Sequence, residues 1–161
     1  MLAVSDTSPL CYLILIGCID LLPRFFDEIV VPQAVVAELL HPDTPGMVRA
    51  WHSNPPAWLN VRALSHSPSA ELDRLDPGER EAIALATELN AGRVLLDDNA
   101  ARRAAGERDL HVVGVLGLLL EAGARGWLDF ADAIARLRET TFRASPALWA
   151  AVASRQQSSS T

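Results

Sequence analysis

The chain has 161 residues, 50% of them hydrophobic, enough to build one globular domain around a full core. Its formal net charge is −6, with 20 acidic residues against 14 arginines and no lysine. This excludes a broad electrostatic footprint on nucleic acid, so any nucleic-acid role must rest on a local site. Asp20 and Arg24 close the apolar stretch 10–22 before it reaches the roughly 18 residues of a spanning helix, and the N-terminus lacks a basic region and a cleavage site. Cys11 and Cys18 read as two buried thiols without metal-ligand spacing, so the expectation is a cytoplasmic protein with no membrane segment.

In chain order, an apolar run ending at Asp6 predicts a first strand, residues 9–22 a helix, and 28–31 a second strand. Pro32 suits the first turn of a helix to about residue 40, where a missing amide proton costs nothing. Residues 41–56 are dense in proline and polar side chains and predict a loop with at most one helical turn, followed by a strand over 58–63. The segment Asp76-Pro77-Gly78-Glu79 opens a helix to about residue 90. A strand over 93–96, a helix over 100–108 and a strand over 111–113 follow. Helices are predicted over 115–124, 130–139 and 146–155, the last capped by Ser145, and residues 156–161 are expected to be a disordered tail. Strands alternating with helices predict a three-layer α/β/α fold with a central parallel sheet, in one domain over residues 1–155.

In such sheets the functional crevice lies beyond the carboxyl ends of the strands. Asp6 ends the first strand, and the run "VLLDDN" places Asp97 and Asp98 at the end of another. At about 100° per residue, Glu38 lies at the border of the apolar stripe of its helix. Glu79 faces inward on the next helix, while Arg80, Glu81 and Glu88 point away. Each acid also has a local explanation. Asp6 can close a turn with Thr7 and Ser8, Glu38 can be solvated, Asp76 with Glu79 forms a capping box, and Asp97 or Asp98 can cap the next helix. Four independent accidents need not aim at one sheet edge, and clustered carboxylates hold together best around a cation. Oxygen donors without histidine or cysteine suit Mg²⁺ or Mn²⁺, and such ions serve phosphodiester hydrolysis. His41, His52, His66 and His111 have no partner at ligand spacing.

The stretches "DTSPL" at 6–10, "VVPQAVVAELL" at 30–40, "LDPGEREAIALA" at 75–86, "VLLDDNAARRAA" at 94–105 and "LHVVGVLGLLLEAGARG" at 110–126 together resemble the PIN domains. These are metal-dependent ribonucleases, and the likeness is to the bacterial and archaeal PIN-like group related to VapC-type toxins of toxin–antitoxin pairs. The resemblance implies that Asp6, Glu38, Glu79 and the Asp97/Asp98 pair bind Mg²⁺ or Mn²⁺ and cleave RNA. It favours Asp98 as the ligand of the pair and leaves Asp97 open. Ser8 resembles the small polar residue that supports the first acid at the substrate site. Arg102 is read either as a phosphate clamp at the cleft rim or as part of a solvated helix face, and Trp51 and Trp58 as base-stacking or, more simply, packing residues. The implied partners are an RNA substrate, a small antitoxin covering the cleft, and a second copy joined through residues 116–120 and the helix carrying Leu148, Trp149 and Val152. The alternative is a catalytically weak binding or assembly module. A receiver-like phosphoacceptor also clusters acids, but it expects a lysine on a late strand.

Overall fold

The structure, a computed structural model, describes residues 1–159. Five strands, β1 (Leu2–Ser5), β2 (Glu28–Val31), β3 (Leu59–Val61), β4 (Arg93–Leu95) and β5 (Val112–Val113), form one sheet in the order β3-β2-β1-β4-β5. Every pairing is parallel. The central strands β1, β2 and β4 are short, valine-rich and almost wholly buried, the composition of strands covered on both faces. The sheet is the middle layer of an α/β/α fold, as the alternation of elements predicts.

Register decides where the acids fall. Val4 lies opposite Val30 on one side and Val94 on the other, so β1, β2 and β4 end level. The ladder continues one step past β1, where the Asp6 amide donates to Leu95 O at 3.1 Å. From β1 the chain builds outward through β2 to β3, then returns to place β4 on the other flank of β1. The reversal between β1 and β4 is the point at which a crevice opens in a parallel sheet.

Helix α1 (Thr7–Leu15) is shorter than the helix expected over 9–22. Gly17, at φ +74°, ends it. The Gly17 amide reaches Ile14 O at 3.1 Å and the Cys18 amide reaches Leu13 O at 2.8 Å, a Schellman cap hidden inside a continuous apolar run. A 3₁₀ turn (Ile19–Leu21) and the single-turn helix α2 (Leu22–Phe25) follow. Among the described residues no single helix is long and apolar enough to cross a membrane. The bent pair that reaches the length, Thr7–Leu15 with Ile19–Phe25, buries Leu10, Leu13, Ile19 and Leu22 in the core. Cys11 and Cys18 are free and only half-buried.

Helix α3 (Gln33–Leu39) begins one residue later than expected, with Pro32 in extended conformation as its N-cap rather than in its first turn. The loop expected over 41–56 instead holds α4 (Gly46–Ser53), two turns long, anchored by the fully buried Val48. After β3 and a second 3₁₀ turn (Ala70–Leu72) comes α5 (Pro77–Leu89), capped by Asp76. Its inner face, Ala82, Ile83, Leu85 and Ala86, packs in one cluster with Val4, Val30, Val94 and Leu96 of the sheet region and with Ala101 and Ala105 of α6 (Asn99–Gly106). At about 1.5–3 kcal/mol for each large side chain, Ile83 and Leu85 alone make α5 a principal contributor to stability.

The chain forms two compact units. The first, Met1–Val115, holds the whole sheet and every acid considered above. The second begins at Leu116 and contains most of α7 (Val115–Ala124) together with α8 (Phe130–Arg138) and α9 (Pro146–Ser159). Asp129 caps α8 by accepting from the Asp132 amide at 3.1 Å. Phe142 meets Trp149 edge-on, with ring centroids 6.1 Å apart, and Arg138 stacks over Trp149. Leu116, Leu118, Leu119 and Val152 are buried, leaving Leu148 exposed among the apolar residues expected to face a second copy. Helix α9 runs past residue 155, where the tail was expected to start, and residues 160–161 lie outside the described residues.

Candidate metal centre

Asp6 leaves β1 with an extended backbone and is also the residue that starts α1. Its position one step past a central strand leaves it 3% exposed, and its Oδ1 has no hydrogen-bond partner among the described residues. Burial pushes its carboxyl up to about 7. The Thr7 amide opposes that shift, and the charges of Asp76, Glu38 and Asp97 add to it. The turn-forming explanation of Asp6 therefore accounts for only part of its carboxylate.

Glu38, near the end of α3, is held from two directions. The Thr7 hydroxyl donates to Oε2, and the Gly78 amide donates to Oε1 at 3.0 Å. Gly78 is glycine for a steric reason, because a Cβ there would sit 2.8 Å from the Glu38 Cδ. Asp76 caps α5 by accepting from the Glu79 amide at 3.0 Å. One carboxylate oxygen from each of Asp6, Glu38 and Asp76 lies within 4.8 Å of the other two. The convergence of Asp6 with Glu38 follows the expectation. Asp76, read from the sequence as a helix cap alone, is the member that reading missed.

Glu79 does turn inward, with 9% exposure, and its carboxyl is pushed up to about 8. Burial is the main cause, followed by a hydrogen bond to Asp76 and the charges of Asp76, Asp6 and Asp98. Glu81 is not simply solvated, since its carboxylate accepts from the Ala34 amide at 3.2 Å and ties α5 to α3. The two acids after β4 divide their roles. Asp98 is exposed and caps α6, accepting from the Ala101 amide at 3.0 Å. Asp97 turns inward, accepts from the Val115 amide at 2.9 Å through Oδ1, and leaves Oδ2 buried without a partner. Burial raises its pKa, against the Val115 amide and Arg102. Within the pair, Asp97 is the more inward carboxylate and Asp98 the helix cap.

Ser8 and Arg102 are the two residues expected at the substrate side. Ser8 is exposed, and the hydroxyl that touches an acid is that of Thr7. Arg102 is engaged by the chain itself, donating through Nη1 to Leu96 O at 2.9 Å. A Cβ on Gly114 would lie 2.7 Å from that Nη1 and 2.8 Å from Asp97 Oδ1, so arginine, acid and glycine form one close-packed corner. Trp51 and Trp58 pack against each other with centroids 6.0 Å apart, and Trp58 immediately precedes β3. They belong to the amino end of the sheet, opposite the acids.

The donor set fits a divalent cation. It is made of hard carboxylate oxygens, it holds no histidine or cysteine, and it includes in Asp6 Oδ1 a buried acceptor without a partner among the described residues. Burial is the main cause of the raised Asp6 and Glu79 values, and the neighbouring like charges that add to it are what a bound cation would offset.

The comparisons with known proteins agree with this geometry. A family model described as PIN domain matches residues 2–158. Among solved structures, the chain is similar to a PilT N-terminus domain protein from the hyperthermophilic archaeon Sulfolobus solfataricus. The TM-score is 0.56 at 22% identity, over 76% of this chain and 93% of that one, a likeness of fold. No curated protein matches. PIN domains are typically nucleases that use divalent metal ions. With the model spanning almost every residue, and its acids gathered at the reversal point of a parallel sheet, the chain belongs to the PIN-domain family.

Proposed function

We propose that this protein is a Mg²⁺- or Mn²⁺-dependent endoribonuclease. The observation that carries the proposal is the buried, partnerless Oδ1 of Asp6 beside the carboxylates of Glu38 and Asp76. Asp6, Glu38 and Asp76 would hold the ion, with Asp97 Oδ2 and Glu79 at its margin. When bound, such an ion lowers the pKa of water and stabilises the leaving oxygen of a phosphodiester. The chain's own residues orient and protect. Thr7 and Gly78 fix both oxygens of Glu38, the Val115 amide and Arg102 hold Asp97, and the buried floor around Asp6 keeps bulk water from its inner oxygen. In the metal-free protein Glu79 holds a proton up to about pH 8.

The biological extension of this reading is a toxin of the VapC type, whose small antitoxin covers the cleft, and which self-associates as a homodimer. The acidic balance of the whole chain favours one other reading, a PIN-like assembly module without cleavage activity. An assay of the purified protein on single-stranded and structured RNAs, with Mg²⁺, Mn²⁺ or EDTA, separates the two. Metal-dependent cleavage that Asp6→Asn abolishes supports the nuclease. A metal-induced rise in melting temperature without cleavage of any RNA supports the module.

A further inference from the structure

Ala100, Arg103 and Ala104 of helix α6 and its C-cap Glu107 stand at helical spacings of three and four, so they share one face. That face forms one wall of a groove of about 750 Å³, and Glu71, Arg74 and Leu75, in the approach to α5, form the other. Small alanines leave the wall of α6 open. Of the three arginines in the groove, Arg108 is held by Glu71 at 3.0 Å and by Ala104 O at 3.1 Å. Arg74 and Arg103 are exposed, one on each wall, and neither has an acidic partner among the described residues. The chain leads from both walls toward the acids: Asp76 directly follows Leu75, and the Asp98 cap, whose charge acts on Glu79, lies two residues before Ala100.

Two unneutralised guanidiniums facing one groove, in a chain of net charge −6, mark a site for a polyanion that runs on to the acids. Resting on the nuclease reading, we propose that this groove carries the sugar–phosphate backbone of a single RNA strand flanking the bond to be cut, with Arg74 and Arg103 contacting phosphates from opposite walls. Such contacts position the strand without reading its sequence. The groove therefore sets affinity and register, and base preference must come from elsewhere.

The test is binding of a short fluorescein-labelled single-stranded RNA, followed by anisotropy in EDTA so that nothing is cut, for wild type and Arg74→Glu/Arg103→Glu. The double variant is expected to bind about tenfold or more weakly. Its log K against log salt should be shallower by about 1.4, which corresponds to two lost phosphate contacts. With Mn²⁺ present, its cleavage should fall through a higher KM, while the Mn²⁺-induced rise in melting temperature stays at the wild-type value. Arg74→Lys/Arg103→Lys, which keeps the charge, should retain most of the affinity. Unchanged RNA affinity and salt slope in the folded Glu variant would overturn the proposal. So would poly-glutamate binding as tightly as the RNA, which would give the groove to an acidic protein partner. Groove-dependent RNA binding by a wild type that cuts nothing would leave the groove standing and remove the nuclease reading alone.

Discussion

The Gly78 amide donates to Oε1 of Glu38 at 3.0 Å, so the first turn of α5 fixes a carboxylate supplied by α3. Two helices distant in sequence thereby set the spacing of the acid centre, and the contact depends on the absence of a side chain at residue 78. Gly78→Ala is expected to push Glu38 out of place, costing about 1–3 kcal/mol of stability through overpacking. The larger loss should fall on the metal response. A variant that keeps the full Mn²⁺-induced melting shift would show that Glu38 does not depend on this contact.

Asp76→Asn and Glu79→Gln distinguish capping from ligation. Asparagine caps a helix as well as aspartate does, so Asp76→Asn should leave stability within about 0.5 kcal/mol while removing a ligand charge. The expected outcome is a large loss of cleavage and of metal-induced stabilisation. Glu79→Gln should affect cleavage less, because Glu79 flanks the three converging oxygens and is neutral in the metal-free protein at pH 7. Cleavage assays and melts on both variants check this, and full activity in Asp76→Asn would remove Asp76 from the centre.

The raised pKa values imply a definite pH dependence. Asp6 moves from an ordinary 3.8 to about 7, and Glu79 from 4.5 to about 8. Between the unfolded and folded values the folded chain binds more protons than the unfolded chain. The stability these groups contribute is therefore complete below about pH 4 and is lost as pH rises to about 8. Without metal, Asp6→Asn should melt close to wild type near pH 4, increasingly above it as pH rises from about 4 to about 7, and by a constant margin beyond that. Melting curves in EDTA across this range test the sign. A wild type that gains on the variant with rising pH would contradict the burial of Asp6 as an uncompensated acid.

Metal should act in the opposite sense. An ion that binds only the folded state at about 100 times its Kd adds roughly 2.7 kcal/mol, and the gain should be greater at pH 8 than at pH 6 because protons compete for the same oxygens. Asp6→Asn should show little of it. Equal Mn²⁺ shifts in wild type and Asp6→Asn would return Asp6 to the role of a turn residue.

Arg102→Ala tests the corner at Asp97. Removing the guanidinium leaves Leu96 O without that donor and Asp97 without its counter-charge, for a loss of about 1–3 kcal/mol. RNA affinity in EDTA should stay at the wild-type level. Weakened RNA binding at unchanged stability would instead make Arg102 a substrate contact.

Local pattern alone determined much of this protein. Alternation of apolar strands and amphipathic helices specified a parallel α/β sheet, and the runs ending at Asp6 and at Asp97-Asp98 located the strand ends, because side-chain periodicity and the cost of burying a charge are properties of short segments. The inward turn of Glu79 was legible for the same reason. Other features depended on what lay across the crevice. Asp76 has a complete local explanation as a helix cap, so nothing in its own segment announces that Glu38, from another helix, stands beside it. Asp97 and Asp98 are adjacent and chemically equal, and only the start of α6 at Asn99 and the approach of Val115 turn one outward as a cap and the other inward. In sequence, Gly78 reads as part of a helix start and Gly114 as a link between strand and helix, yet each is required by a carboxylate packed against its Cα. Tertiary structure decided these because ligand geometry and close packing are relations between segments far apart in the chain, and the energy that selects them exists only once the sheet has assembled.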